Sequence, residues 1–223
     1  MAKALAARGA RLMLVDVAEA PLRALASDLG AQAHFADITD AAAVSALMDA
    51  TVAAHGAVDA VVNSAGLLRI ASAHDLSLEA FKASMDVNVT GAFLLSRAAA
   101  KAMAGRGGRI VHFASVSSQV ANRNYAAYAT SKAALSQMVR VLAREWAPEG
   151  ITVNAIGPAM TETGMTGGYL SDAEFRAQAL SVIPLGRFGS PADLIGPLLL
   201  LLAPGGSFIT GQTLFVDGGR TLV

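Results

Sequence analysis

Short apolar runs rich in β-branched and aromatic residues recur along this chain, separated for the most part by alanine- and leucine-rich stretches at helical spacing. That alternation constrains the fold more than any other feature. The runs are RLMLVD, AHFAD, VDAVVN, GRIVHFAS, ITVNAI and QTLFVD. Strand, helix and strand repeated in this way require parallel strands with crossover helices, and apolar residues at successive strand positions require both sheet faces to be covered. The expected class is α/β, a doubly wound, mostly parallel sheet with helices on both faces.

No Pro-, Gly- or Ser-rich linker and no fixed-period repeat divides the 223 residues, so residues 1–223 read as one domain. Its 17 basic and 17 acidic residues cancel without runs of like charge, which argues against nucleic acid and anionic membrane as partners. Cysteine is absent and the four histidines (His34, His55, His74, His112) are scattered, so neither a disulfide framework nor a metal site is expected. The start lacks a secretory pattern, and the most apolar run, Pro197 to Ala203, is too short to span a bilayer. A cytoplasmic protein acting on a small molecule is the expectation.

Punctuation residues place the helices. Asp40 caps a helix running to about His55 with Gly56 as its stop, and Ser190-Pro191 starts another. Long helical patterns cover about Leu78 to Met103 and Tyr125 to Trp146. Residues 161–185, rich in Gly, Thr and Met, are the least regular and read as a substrate lid. In open α/β sheets ligands bind beyond the carboxyl ends of the strands, where this chain carries Asp16, Asp37, Asn63 to Gly66, Ser115 and Gly157-Pro158.

Within YATSK, Tyr128 and Lys132 stand four residues apart, on one helix face. A neighbouring ammonium favours a phenolate, so the pair suits acid–base work at a carbonyl or alcohol, although two exposed side chains paired by chance would look the same. Ser115, at a strand end, can polarise a carbonyl or merely cap a turn. Asn88, within DVNVTG in a helical pattern, is a poor helix former and reads equally as a functional group or a satisfied structural amide.

Asn88, Ser115, Tyr128 and Lys132, together with NSAG after a strand, VNAIGP before the lid and ITGQTLFVDGG near the end, resemble the short-chain dehydrogenase/reductase family over essentially the whole chain. The resemblance implies a Rossmann-like fold and a nicotinamide-dependent oxidoreductase that interconverts a secondary alcohol and a ketone. Tyr128 would exchange a proton with the substrate oxygen, Ser115 orient that oxygen, Lys132 lower the tyrosine pKa and hold the nicotinamide ribose, and Asn88 support a proton relay. Asp16 would accept hydrogen bonds from the adenosine ribose and repel a 2′-phosphate, favouring NAD over NADP. Asp37 and Ile38 would lie beside the adenine, Asn63, Ala65 and Gly66 along the cofactor with Pro158, and Thr163 on the carboxamide. Ala159 departs from the glycine usual after Pro158. Met160, Met165, Tyr169 and the loop Gln119 to Tyr125 would line the substrate pocket. The helices bearing Asn88 and Tyr128 would form the faces of a homo-oligomer, a dimer or tetramer.

The family pattern also begins with a strand and a TGxxxGxG loop that opens onto a helix and holds the pyrophosphate. This sequence contains neither: Met1 corresponds to a point inside that helix. The strand would lie between those ending at Asp16 and Asn63. Leaving its slot open would strand backbone groups at about 1–3 kcal/mol each, against a typical net stability of about 5–15 kcal/mol. The expectation is therefore an N-terminally truncated version of a longer enzyme. The alternatives are a sheet that rearranges or pairs with another subunit, and a cofactor-deficient, non-catalytic relative with a binding or assembly role.

Overall fold

The computed structural model describes residues 1–223. In chain order its elements are α1 (Ala2–Ala6), β1 (Met13–Asp16), α2 (Glu19–Leu29), β2 (Gln32–Phe35), α3 (Ala41–His55), β3 (Ala60–Asn63), α4 (Leu78–Met85), α5 (Ala92–Met103), β4 (Gly108–Phe113), α6 (Ala126–Trp146), β5 (Ile151–Pro158), α7 (Gly164–Leu170), α8 (Ala173–Ser181), α9 (Ile195–Leu202) and β6 (Thr213–Val216). This is a Rossmann-like α/β fold. Every apolar run named from sequence overlaps a strand.

All strand pairs are parallel, in two sheets ordered β1-β2 and β3-β4-β5-β6. No backbone pairing joins β1 to β3, so the strand array is interrupted at the interval between Asp16 and Asn63. The rearranged sheet considered as one alternative is not what the chain adopts. Within the larger sheet, Asn63 stands opposite His112 and Phe113 opposite Ile156.

Strand alternation sorts side chains to two covered faces. Ile110, Ile151, Val153 and Ala155 join residues of α3, α5 and α6 in the main core, whereas Val111 and Ile156 pack with Leu194, Leu198 and Leu201 beneath α9. The leucine-rich run thus becomes a core helix, and no helix is long and apolar enough to cross a membrane.

The predicted helix ends have identifiable causes. Asp40 Oδ1 accepts from Ala42 N at 2.8 Å and Ala43 N at 3.2 Å, and Gly56 closes α3 at φ 84°. The long pattern from Leu78 is one continuous rod in which a π-helical segment, Asp86–Gly91, links α4 to α5. The start at Ser190-Pro191 is a 3₁₀ turn, Pro191–Leu194, leading into α9. The segment read from sequence as the least regular, residues 161–185, contains two helices, α7 and α8. Their caps are legible, since Asp172 Oδ1 accepts from Phe175 N at 2.8 Å, but α8 buries no residue and so carries no apolar stripe.

Candidate active site

Beyond the carboxyl ends of β3, β4 and β5 a cleft of about 800 Å³ opens beneath α7 and α8. Ser115, Tyr128 and Lys132 lie on its wall, with Gly66, Pro158 and Thr163. Strand termini and the first turns of α6 converge there because parallel strands deliver all their carboxyl ends to one side.

Tyr128 and Lys132 occupy the first two turns of α6, with Lys132 Nζ 5.7 Å from the phenol ring centroid. Lys132 is buried and donates to the Phe113 carbonyl oxygen at 2.7 Å; burial lowers its pKa to about 8. Tyr128 departs from expectation. Burial pushes its phenol above the ordinary value, and the opposing hydrogen bond from Ser115 does not outweigh it. The ammonium is held at Phe113 rather than at the phenol oxygen, which is why the helical spacing alone suggested the opposite shift. Ser115 combines both of its sequence roles. Its Oγ accepts from Ser117 N at 3.1 Å, capping the turn Val116–Ser118, and its own proton is directed to the Tyr128 phenol at the cleft wall.

Asn88 is buried within the π-helical segment. Its Oδ1 accepts from Leu67 N at 2.7 Å, and its Nδ2 donates to Leu67 O at 2.9 Å and Ser131 Oγ at 2.9 Å. The amide therefore ties the loop after β3 to α6, one residue before Lys132. The extra residue of a π turn rotates Asn88 inward, and no local sequence signal announces it.

Asn63 belongs to a second buried network that sequence reading missed. Ser96 Oγ donates to Ala92 O at 2.7 Å, so it accepts from His112 Nε2 at 2.9 Å; His112 Nδ1 then accepts from Asn63 Nδ2 at 3.2 Å. Asn63 Oδ1 in turn accepts from Ala65 N at 3.1 Å. His112 is fully buried, and desolvation, assisted by the charge of Lys132, lowers its pKa to about 4. It is a neutral spacer between α5 and the loop after β3.

The remaining predicted cofactor residues sit apart from this wall. Asp16 and Asp37 are exposed at the end of β1 and just beyond β2, each with one oxygen engaged locally: Asp16 Oδ1 by Ala18 N at 2.9 Å, Asp37 Oδ1 by Thr39 N and Thr39 Oγ1, both at 2.8 Å. Ile38 is buried against Gly91, where a Cβ would stand 2.8 Å from its Cγ1. Asn63, Ala65, Asp16, Asp37 and Ile38 do not line the cleft. Of the predicted pocket residues, Met160, Met165, Asn122, Arg123, Asn124 and Tyr125 do; Tyr169 instead packs on Phe175 with ring centroids 6.0 Å apart. Ala159 lines the cleft and packs against the Leu170, Ile183 and Phe188 cluster.

These residues fit the nicotinamide half of a dinucleotide. Lys132 has spent one of three N–H donors, and a Cβ at Gly66 would stand 3.3 Å from Asn88 Oδ1 and 3.5 Å from Lys132 Nζ, so only glycine leaves that wall open. Asp16 and Asp37 each retain an oxygen for ribose or adenine.

A family model described as Enoyl-(Acyl carrier protein) reductase matches residues 1–221. The chain is similar to a galactitol 2-dehydrogenase (L-tagatose-forming) of Cereibacter sphaeroides, 40% identical over 226 residues that cover 99% of this chain and 89% of the relative. An inactive 2-(S)-hydroxypropyl-CoM dehydrogenase 2 of Xanthobacter autotrophicus is 37% identical over 230 residues, covering 100% of both chains. Among solved structures, a gluconate 5-dehydrogenase from Burkholderia cenocepacia J2315 in complex with NADP and tartrate is similar with a TM-score of 0.93 at 33% identity, covering 100% of this chain and 89% of that one.

Proposed function

The chain belongs to the short-chain dehydrogenase/reductase family, and from that premise we propose that it interconverts a secondary alcohol and a ketone, with NAD(H) as its cofactor. The observation that carries this reading is the meeting of the Ser115 hydroxyl, the Tyr128 phenol and the buried Lys132 ammonium on one cleft wall. When bound, a nicotinamide supplies or accepts hydride at the substrate carbon. Tyr128 Oη moves the accompanying proton at the substrate oxygen, and Ser115 Oγ donates a hydrogen bond to that oxygen. A phenol pushed above its ordinary pKa stays protonated at neutral pH, which suits it to donate during ketone reduction. Lys132 keeps donors for the ribose, while Asn88 holds the loop that shapes the cleft beside it.

NAD is favoured over NADP by the exposed Asp16 carboxylate at the end of β1, which would repel a 2′-phosphate. A cytoplasmic homo-oligomer is part of the same reading. Phe208 is fully exposed, with Leu200 and Leu214 also exposed, an apolar set that association would cover.

A second reading, a member that keeps the fold without turnover, is favoured by the interruption between β1 and β3. The similar Xanthobacter protein is described as inactive. Two measurements separate the readings. Saturable quenching or enhancement of NADH fluorescence is expected on titration with folded protein, and its absence removes the enzyme reading. With a substrate found by screening sugar alcohols and acids, Tyr128→Phe is expected to lower kcat by roughly 10²-fold or more while NADH binding persists; an unchanged kcat removes Tyr128 from this role.

A further inference from the structure

The charges lining the cleft are one-sided. Arg123, Lys132 and Arg220 line it, and no aspartate or glutamate does. The whole chain balances 17 basic against 17 acidic residues, so this asymmetry is local. Lys132 has a place in the reaction already described; the two arginines do not.

Arg220 is only 9% exposed. Its Nη2 donates to Asn122 Oδ1 at 3.0 Å and its Nη1 to the Val223 main-chain oxygen at 2.9 Å. A guanidinium carries five N–H donors, so three are unspent. Side-chain ion pairs form at Arg23, Arg106, Arg176 and Arg187, none of them at this cleft's arginines. The nearest acid in sequence, Asp217, is occupied by Gly219 N, Thr221 N and Thr221 Oγ1 at 2.7–3.1 Å. The Val223 oxygen lies on the last residue of the sequence and partly offsets the Arg220 charge, but three N–H donors remain at the cleft wall, Arg123 beside it has no acidic partner, and a planar fork suits a carboxylate. Around it, the amides of Asn122, Asn124 and Gln178 and the hydroxyl of Ser117 offer donors and acceptors suited to hydroxyl groups.

We propose that Arg220, with Arg123 and Asn122, forms an anion subsite of the cleft, and that the substrate is a polyhydroxylated carboxylate rather than a neutral polyol. This rests on the oxidoreductase reading of the cleft for the word substrate, and on the lining charges alone for the subsite. Arg220 receives the carboxylate from the desolvated side, Arg123 from the exposed side, and the carbon chain runs toward Ser115 and Tyr128.

The test is calorimetric titration of the protein with D-gluconate and with D-glucitol, which share a carbon skeleton and differ in one carboxylate, in the presence of NADH, which reduces neither. Gluconate is expected to bind at least about ten-fold more tightly. Arg220→Met and Arg123→Met are each expected to reduce gluconate affinity about ten-fold and leave glucitol affinity unchanged, with Arg220→Lys retaining part of the preference. Arg123 is exposed, so its variant reports even where Arg220→Met fails to fold. Equal affinities, the result if the Val223 oxygen alone satisfies Arg220, overturn the subsite; so do binding of neither probe and a gluconate preference that survives both methionine variants. Turnover with NAD is measured separately. Preferential, Arg220-dependent gluconate binding without turnover keeps the subsite and overturns the oxidoreductase reading instead.

Discussion

At single residues, burial decides chemistry that spacing leaves open. Lys132 has a folded pKa of about 8 against an ordinary 10.5, so its charged form is disfavoured by the fold. Between those values the unfolded chain holds a proton that the folded one does not, and stability rises with pH; below pH 8 the full cost of the buried charge is present. At about 1.4 kcal/mol per unit this is roughly 3 kcal/mol, offset by about 1 kcal/mol for the bond to Phe113. Lys132→Met is therefore expected to raise urea-unfolding stability at pH 7 by about 2 kcal/mol while losing activity. Equal or lower stability would mean that the ammonium is better solvated than its burial suggests. His112 shows the same sign in a lower pH window. Its pKa falls from 6.5 to about 4 on folding, so stability present above pH 6.5 is lost as pH falls toward 4. Comparing wild type with His112→Asn from pH 7 to pH 5 should show a steeper acid loss in the wild type, because the variant does not titrate there.

At the scale of elements, the loops on which the site depends are fixed by contacts between elements. The π-helical segment ends at Gly91, and the loop after β2 fills the space beside it with Ile38, whose Cγ1 and Cδ1 would lie 2.8 and 2.9 Å from a Cβ at position 91. Gly91→Ala gains helix propensity in isolation but overpacks here. A net destabilisation of about 1–3 kcal/mol is expected, and a double-mutant cycle with Ile38→Val should recover part of it. Additive losses would show that the two positions do not touch in solution. Asn88 belongs to the same device. Sequence spacing placed it on a helix, but its inward turn and its three partners exist only because α4 and α5 are joined by a π turn.

For the whole molecule, the two sheets differ in how they are held. β5 is nearly continuously buried and β4 buried through its centre, between helices on both faces, whereas β1 and β2 are four-residue strands with half-buried or exposed positions, Phe35 among them at 56% exposure. Hydrogen exchange should protect β4 and β5 amides up to the global unfolding free energy and release those of β2 and α2 earlier. Uniform protection across both sheets would show that they unfold as one unit. Periodicity and punctuation, both local, were enough to determine the parallel α/β class, the strand positions, the caps at Asp40 and Gly56, and the pairing of Tyr128 with Lys132 on one face. Ser115 was legible at its strand end, while its double use as cap and donor was not. Tertiary structure alone decided the upward shift of Tyr128, the helices within residues 161–185, the His112 network and the cleft exposure of Arg220. The physical reason is range: hydrophobic period and capping act over a few residues, but desolvation and buried hydrogen bonds depend on which distant segments exclude water from a group, and the sequence does not state that until the chain has packed.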